Sequence, residues 1–286
     1  MAKIRKIKRL FKGQPTMDGA GVDLKRIFGF NEANELDPFL LMDHFGSDNP
    51  DHYINGFPWH PHRGIETITY MLEGDVEHKD SLGNTGNLSA GDVQWMTAGS
   101  GIIHQEMPKA GPEGRMYGFQ LWANLPASHK MMPPRYQDIK SDQIPEVILE
   151  DGVSLRVLCG KVGGIEGPVR DIIIDPEYID VRVPAGTSFV HPTKPGHTVF
   201  IYLFEGEGES GLEDAPTAIS ANTLVHYEDG EQIRISAKDS ALRFIVVAGK
   251  PIGEPVAWHG PIVMNKKEEL KTAVEEFRNG TFIKQT

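Results

Sequence analysis

Two short segments of the chain combine residue types that bind transition metals. His60 and His62 are separated by one residue, and His104 and Glu106 repeat that spacing about forty residues later. Alternate side chains of an extended strand lie on the same face, so each pair presents both of its ligands in one direction. Pro61, between the two histidines, disfavours a helix. Three imidazoles and one carboxylate suit a single divalent iron, manganese, cobalt, nickel, copper or zinc ion, and intrinsic affinity does not choose among these metals.

The context of the second pair strengthens this interpretation. One His-x-His pair is weak evidence by itself, since about 0.4 such pairs are expected by chance in a chain with 11 histidines among 286 residues. The second pair, however, follows a Gly91-Asp92 turn and a strand-like segment, residues 93–96. Two strands of a narrow barrel would bring all four ligands to one ion. An octahedral ion would then keep two positions for substrate and for O₂ or water.

Short strand-like segments recur along the chain, bounded by glycine, proline or asparagine. They are three to eight residues long and rich in valine, isoleucine, threonine, tyrosine and phenylalanine, as half-buried strands are. The clearest are residues 65–72, 93–96, 117–121, 154–159, 172–174, 198–204, 233–235 and 242–248. Together with 31 glycines and 20 prolines, these segments predict an all-β fold of the sandwich or barrel type.

One helix is predicted, at the C-terminal end of the chain. Asn265 can cap its first turn, with Glu268 in the position of a capping box, and Gly280 can end it. Its apolar stripe follows the spacing i, i+3, i+4, i+7 and consists of Leu270, Ala273, Val274 and Phe277. We expect this helix to pack on a sheet.

Composition excludes several classes of protein. The net charge of −11 disfavours a protein whose main activity is direct binding of nucleic acid or of an anionic membrane. No segment approaches the roughly 18–20 apolar residues of a membrane span, and the first residues lack the apolar run of a signal peptide. A single cysteine excludes an internal disulfide framework. We therefore expect a soluble cytoplasmic protein, or a nuclear one in a eukaryote, and a monomer.

A proline-rich segment separates two halves of similar size. Each half has a strand-like segment that ends in Glu-Gly, at residues 73–74 and 205–206. We predict an N-terminal metal-binding barrel in residues 1–128, a linker in residues 129–146, and a second barrel plus the terminal helix in residues 147–286. The second half has no His-x-His pair, so we expect its barrel to hold no metal.

These motifs resemble the pirin family, which consists of bicupins of the cupin superfamily. The resemblance extends over nearly the whole chain and is carried by residues 36–43, 60–66, 91–99, 104–107, 254–256 and 259–265. It implies two stacked antiparallel β-barrels of the cupin or jelly-roll kind, with a metal only in the first. It also implies that His60, His62, His104 and Glu106 are the metal ligands, with iron(II) as the first choice of metal.

The resemblance also bears on the residues around the predicted ligands. Cupins in general take their carboxylate ligand from a position four or five residues after His-x-His, which here is Glu66. Pirins depart from that pattern, so we take Glu66 as a neighbour of the site or a partner of Arg63. Near the site in sequence, Trp95, Met96 and Phe119 either line a pocket for an aromatic substrate or belong to the barrel core.

Two functions of different kinds follow from the resemblance. Some bacterial pirins are similar to this chain and act as quercetin 2,3-dioxygenases, which open the heterocycle of a flavonol with O₂. In such an enzyme the metal would acidify the flavonol hydroxyl and Glu106 would accept its proton as general base. The alternative is an iron-dependent redox sensor that binds a transcription factor or another protein, as animal pirins do. A sugar-phosphate isomerase ranks last, because only Arg63 is available nearby for a phosphate.

Overall fold

The computed structural model describes residues 2–110 and 113–284, which form an all-β structure with one α-helix, α1 (Lys267–Arg278). The strands up to residue 139 are β1 Ile7–Lys12, β2 Gln14–Asp18, β3 Val22–Phe28, β4 Phe39–Ser47, β5 Phe57–His62, β6 Ile65–Glu73, β7 Asp75–Asp80, β8 Thr85–Leu88, β9 Val93–Thr97, β10 Ile102–Lys109, β11 Met116–Asn124 and β12 Arg135–Ile139. The later strands are β13 Glu146–Ile148, β14 Ser154–Cys159, β15 Lys161–Val162, β16 Ile165–Glu166, β17 Glu177–Val183, β18 Ser188–Pro192, β19 Thr198–Glu205, β20 Glu207–Gly211, β21 Pro216–Ser220, β22 Thr223–Tyr227, β23 Gln232–Ala237, β24 Leu242–Gly249, β25 Ala257–His259 and β26 Ile262–Met264. Single 3₁₀ turns occupy Pro50–His52 and Ser141–Gln143. The all-β prediction with a C-terminal helix is confirmed.

One compact unit consists of Gln14–Ser141 and the chain from Ile252 onwards. It contains a seven-stranded antiparallel sheet of order β12-β9-β6-β11-β4-β3-β2 and a four-stranded antiparallel sheet of order β5-β10-β7-β8. The hairpin β25–β26 and helix α1 belong to it as well. Its apolar side chains form several buried clusters, one of which includes Ile65, Met96 and Ile102.

The other unit consists of the first 13 residues and Asp142–Pro251. It repeats the architecture, with a seven-stranded sheet of order β1-β22-β19-β24-β17-β14-β13 and a four-stranded sheet of order β18-β23-β20-β21. A single large cluster of buried valine, leucine, isoleucine and phenylalanine side chains fills its core. Among its described residues, no group of three or more histidine, cysteine, aspartate or glutamate side chains is arranged so that it could hold a metal ion.

Each terminal segment of the chain belongs to the other unit than the one predicted for it. The first 13 residues join the second unit, because β1 pairs with β22 at the edge of its larger sheet. The segment after residue 251, predicted with the second barrel, joins the first unit. Within the predicted linker, residues 129–146, strand β12 pairs with β9. Its alternation of polar side chains carries no apolar signal, which is why the sequence did not indicate a strand.

Seven of the eight strand predictions are confirmed, and the prediction for residues 172–174 is wrong. That segment forms a turn, in which the N–H of Asp175 donates to the carbonyl of Ile172 at 3.2 Å. Asp171 and Asp175, on either side of the segment, adopt positive φ angles of 58° and 48°. Aspartate tolerates this left-handed conformation better than most residues do, and the conformation interrupts a strand.

The C-terminal helix is confirmed, but its first turn is capped differently from the prediction. Glu269, not Glu268, accepts the backbone N–H groups of Asn265 at 3.0 Å and Lys266 at 2.9 Å. The side chain of Asn265 instead donates to Glu254 at 2.9 Å. Ala273 of the predicted stripe is fully buried. In the described part of the chain, no helix has the length and apolar character needed to cross a membrane.

Candidate metal centre

Adjacent antiparallel strands β5 and β10 bring the three predicted histidine ligands together. In their register His104 lies opposite His60, and Ile102 lies opposite His62. Since His60 and His62 are alternate residues of β5, they share one face of the sheet, and that face also carries His104. The local spacing therefore becomes a cluster because these two strands pair in this register.

The nitrogens of the cluster are close enough to share one ion. Nε2 of His60 lies 3.0 Å from Nε2 of His62 and 3.0 Å from Nε2 of His104. The potential ligand atoms of the three residues all lie within 4.8 Å of one another. His62 and His104 are buried, whereas His60 is partly exposed. Imidazole nitrogens in such an arrangement suit zinc, copper, iron and nickel.

Backbone carbonyls determine which nitrogen of two of the rings is free to bind a metal. Nδ1 of His60 lies 2.8 Å from the carbonyl oxygen of Pro58, and Nδ1 of His62 lies 3.3 Å from that of Pro261. A carbonyl oxygen only accepts, so each Nδ1 donates its proton and each neutral ring keeps a lone pair on Nε2. Two lone pairs that face each other across 3.0 Å repel, and a cation between them removes the repulsion. The donor set therefore fits a divalent metal ion.

Burial keeps these imidazoles in the form that binds a metal. It is the largest cause that lowers the pKa of His62 well below 6.5, and the neighbouring His60 and His104 lower the pKa further. The pKa of His104 is lowered well below 6.5 by burial, then by His60 and His78. Neutral imidazole is the ligand form, so the site does not have to release protons from these two rings before it binds a metal at neutral pH.

Glu106 lies near the cluster but outside the group of three. A register shift between His104 and Glu106 adds one residue on the side of β5, so Glu106 lies opposite Phe57. β10 itself pairs with β7 in regular register, so Glu106 lies on the same face of β10 as His104. The hydroxyl oxygen of Thr69 lies 3.4 Å from Oε1 of Glu106. Burial raises the pKa of Glu106, and His60 and His78 partly offset that rise. Its role as a fourth ligand stays a prediction.

A cavity of about 690 Å³ adjoins the cluster within the same unit. His60, His62 and Glu106 lie on its wall. Much of the remaining wall is apolar and includes the aromatic side chains of Phe45 and Trp122. This volume lies within the range of roughly 300–1,000 Å³ typical of sites for small organic molecules. The arrangement can therefore hold an organic substrate beside a metal ion.

The other five predicted site residues do not line this cavity among the residues that the structure describes. Trp95, Met96 and Phe119 are buried in the core. Glu66 is also buried and accepts the hydroxyl of Thr97 at 2.6 Å, while burial raises its pKa. Arg63 does not pair with Glu66. Its guanidinium donates to Glu276 of α1 at 2.7 Å and to the carbonyl of Phe282 at 2.8 Å.

Residues of the chain's C-terminal segment complete the wall, and the sequence interpretation did not place them there. Trp258, His259, Gly260 and Pro261 line the cavity. Polar contacts tie this segment to the end of β5. The N–H of Val263 donates to the carbonyl of Arg63 at 3.0 Å. Nζ of Lys130 donates to the carbonyls of Gly64 at 2.8 Å and Val263 at 3.0 Å. The only signal in the sequence was the family motif at residues 259–265, which does not reveal where the segment packs.

Comparisons with known proteins agree with this architecture. The chain matches the sequence profile of pirin over residues 21–123 and that of the pirin C-terminal cupin domain over residues 178–283. A pirin-like protein of Caulobacter vibrioides is 44% identical over 280 residues, which cover 98% of this chain and 99% of that protein. A Pseudomonas aeruginosa protein named as a candidate quercetin 2,3-dioxygenase is 42% identical over 292 residues, with 98% and 99% coverage. A crystal structure titled quercetin 2,3-dioxygenase, from Acinetobacter baumannii, has a TM-score of 0.89 at 32% identity and covers 98% of both chains. The chain therefore belongs to the pirin family and has its two cupin domains.

Proposed function

We propose that this protein is a metal-dependent dioxygenase that opens the heterocycle of a flavonol with O₂. The observation that carries the proposal is the convergence of three imidazole nitrogens beside a cavity of about 690 Å³, whose wall includes His60, His62 and a buried acid, Glu106. The relatives named for quercetin 2,3-dioxygenase support the choice of substrate class.

His60, His62 and His104 would hold the metal, with Glu106 as a fourth ligand or a neighbour of the ion. When bound, a divalent metal, with iron(II) as the first choice, would act as a Lewis acid on the flavonol hydroxyl and provide a site for redox chemistry with O₂. The protein contributes the orientation of the donors, since the carbonyls of Pro58 and Pro261 hold two rings with Nε2 towards the site.

Glu106 acts as the general base of the proposed reaction. Its carboxylate lies on the wall of the cavity and accepts a proton from the flavonol hydroxyl at one of its oxygens. Burial raises the pKa of Glu106, which makes its carboxylate a stronger base than an exposed glutamate. The hydroxyl oxygen of Thr69, 3.4 Å from Oε1, is a polar neighbour of that carboxylate. The apolar wall excludes water from the substrate during the reaction.

The test compares Glu106→Gln with a matched control, Glu77→Gln. Glu77 lies on the neighbouring strand β7, where it forms ion pairs with Lys79 at 2.9 Å and Lys109 at 3.1 Å and does not line the cavity. Metal content is measured by elemental analysis, and turnover by O₂ uptake with loss of the flavonol absorbance. We expect Glu106→Gln to keep its metal and lose about 10²–10⁴-fold in kcat. The control should keep both.

Other outcomes of this experiment contradict specific parts of the proposal. Loss of metal from Glu106→Gln would place this residue among the ligands and remove the evidence for a separate base. Unchanged turnover would exclude the base. The unaltered protein is also loaded in turn with iron(II), manganese(II), cobalt(II), nickel(II) and copper(II). If none of these forms consumes O₂ with quercetin, the proposed dioxygenase activity is refuted.

A further inference from the structure

A row of four polar residues crosses the larger sheet of the first unit, and all four line the cavity. Arg26 of β3 lies opposite Asp43 of β4, Asp43 lies opposite Gln120 of β11, and Gln120 lies opposite Thr69 of β6. Residues in register across a sheet share one face, so these side chains form one continuous line. The line ends beside Glu106, whose Oε1 lies 3.4 Å from the hydroxyl oxygen of Thr69.

Hydrogen bonds hold the members of this polar row in place. Arg26 makes a two-point contact with Asp43, through Nε at 2.9 Å and Nη2 at 2.8 Å. The hydroxyl of Thr69 donates to the amide oxygen of Gln120 at 2.7 Å. Ordered polar side chains in a mostly apolar cavity fix the orientation of a bound molecule, because each leaves few directions for a hydrogen bond.

The residues on either side of the polar row are largely apolar. Two positions away in one direction, Leu41 lies opposite Trp122, and both line the cavity. Two positions away in the other direction, Phe45 lies opposite Gly118, where an added Cβ would be 2.6 Å from the ring of Phe45. The absence of a side chain at Gly118 therefore makes room for Phe45 beside the row. A flat, largely apolar molecule would fit over such a surface, with its few polar groups facing the polar row.

The length of the polar row matches a molecule of about three rings. Neighbouring strands lie about 4.8 Å apart, so the three steps from Thr69 to Arg26 span about 14 Å. A planar aromatic substrate with one end at the metal centre would reach the guanidinium of Arg26 with its other end.

The chemistry around Arg26 indicates which group that distant end carries. Nη2 of Arg26 also donates to Asp18 at 2.7 Å, so two carboxylates face one guanidinium and disfavour an anionic group. Among the described residues, Nη1 of Arg26 has no hydrogen-bond partner in the structure. A hydroxyl group suits this site, because it can accept from Nη1 and donate to a carboxylate oxygen of Asp43.

We propose that Arg26 and Asp43 form a specificity site for a hydroxylated aromatic ring at the end of the substrate distant from the metal. This inference rests on the proposed function, since it takes the other end of the substrate to lie at the metal centre. The two residues bind and orient the substrate and take no part in the chemical steps.

The test measures binding without turnover, in metal-free protein under anaerobic conditions. Quenching of tryptophan fluorescence reports occupancy, because Trp122 and Trp258 line the cavity. The two probes are quercetin, whose two benzene rings each carry two hydroxyls, and 3-hydroxyflavone, whose benzene rings carry none. The comparison therefore holds whichever ring lies distant from the metal. We expect the unaltered protein to bind quercetin at least tenfold more tightly. Arg26→Met should remove that preference by weakening only quercetin.

Two further variants separate recognition from stability. Arg26→Met combined with Asp43→Leu replaces the ion pair by apolar side chains, which avoids a buried unpaired carboxylate, and should show the same loss of preference. Arg115→Met is the control, since Arg115 also faces carboxylates, Asp48 at 3.2 Å and Glu73 at 3.4 Å, but does not line the cavity. Equal binding of both probes by the unaltered protein, or equal weakening of both in Arg26→Met, would overturn the proposal. O₂ uptake measured in parallel shows separately whether the proposed function fails.

Discussion

Gly64 lies between β5 and β6 and packs against the C-terminal segment, and replacing it with alanine should disturb the candidate metal centre indirectly. Gly64 has a φ of +78°, a conformation that costs a residue with a Cβ about 1–2 kcal/mol. An added Cβ would also lie closer than 3.0 Å to the carbonyl oxygen of Val263. Real Cβ atoms do not approach backbone that closely, so the segment that carries Val263 has to move.

The structure supplies a matched control for this substitution. Gly83 has a φ of +86°, and an added Cβ there would meet no atom within 4 Å. Both variants pay the same conformational cost, and both restrict the unfolded chain equally. Only Gly64→Ala adds a steric cost, which for overpacked sites is about 1–3 kcal/mol. We expect Gly83→Ala to destabilise by about 1 kcal/mol and Gly64→Ala by about 2–4 kcal/mol.

The displacement should also reach His62, one of the predicted metal ligands. Pro261, two residues before Val263, accepts the hydrogen bond that orients the ring of His62. Loss of such an orienting partner typically lowers metal affinity about 10–100-fold. We therefore expect nickel(II) to bind Gly64→Ala about 10–100-fold more weakly than the unaltered protein. Gly83→Ala should bind it normally.

Urea unfolding followed by tryptophan fluorescence measures the stability of the correct unit. All four tryptophans, at positions 59, 95, 122 and 258, lie in the unit that contains the candidate metal centre. Isothermal titration with nickel(II) measures affinity. Equal destabilisation by the two substitutions would refute the steric argument. Unchanged nickel affinity in a destabilised Gly64→Ala would show that the C-terminal segment does not orient His62.

Two further predictions concern the same unit. Burial lowers the pKa of Lys130 to about 7, below the ordinary 10.5, so the unfolded chain binds more protons than the folded one between these values. The free energy of unfolding should thus rise from pH 7 to pH 9.5, and urea titrations should find a smaller rise in Lys130→Met. Glu269→Ala should cost about 1 kcal/mol, because Glu269 accepts two N–H groups at the start of α1, whereas Glu268→Ala should cost less in the same assay. An unchanged pH slope, or equal costs, would contradict the respective arguments.

Local periodicity explains why part of the site could be predicted. Two residues separated by one lie on the same face of any strand, so the spacing of His60, His62, His104 and Glu106 was informative before the strand partners were known. The three histidines do converge, in a group that could hold a metal. Glu106 lies on the same face of β10 as His104, as the spacing predicts, but it is not a member of that group of three.

The same reasoning could not predict the wall of the cavity. Trp95, Met96 and Phe119 are near the ligands in sequence or strand order, but their side chains lie in the core. The residues that do line the cavity, such as Arg26, Gln120 and Trp258, come from distant positions of the chain. Alternation along a strand gives two faces and does not indicate which of them a cavity occupies.

The amino-acid sequence by itself determined the all-β class, the C-terminal helix and the histidine spacing of the candidate metal centre, because strand and helix periods are properties of neighbouring residues. Only the tertiary structure decided which strands pair, that the C-terminal segment returns to orient His62, and that Arg26, Asp43, Gln120 and Thr69 align. These features depend on contacts between residues far apart in the chain, and such contacts form only when the whole unit folds.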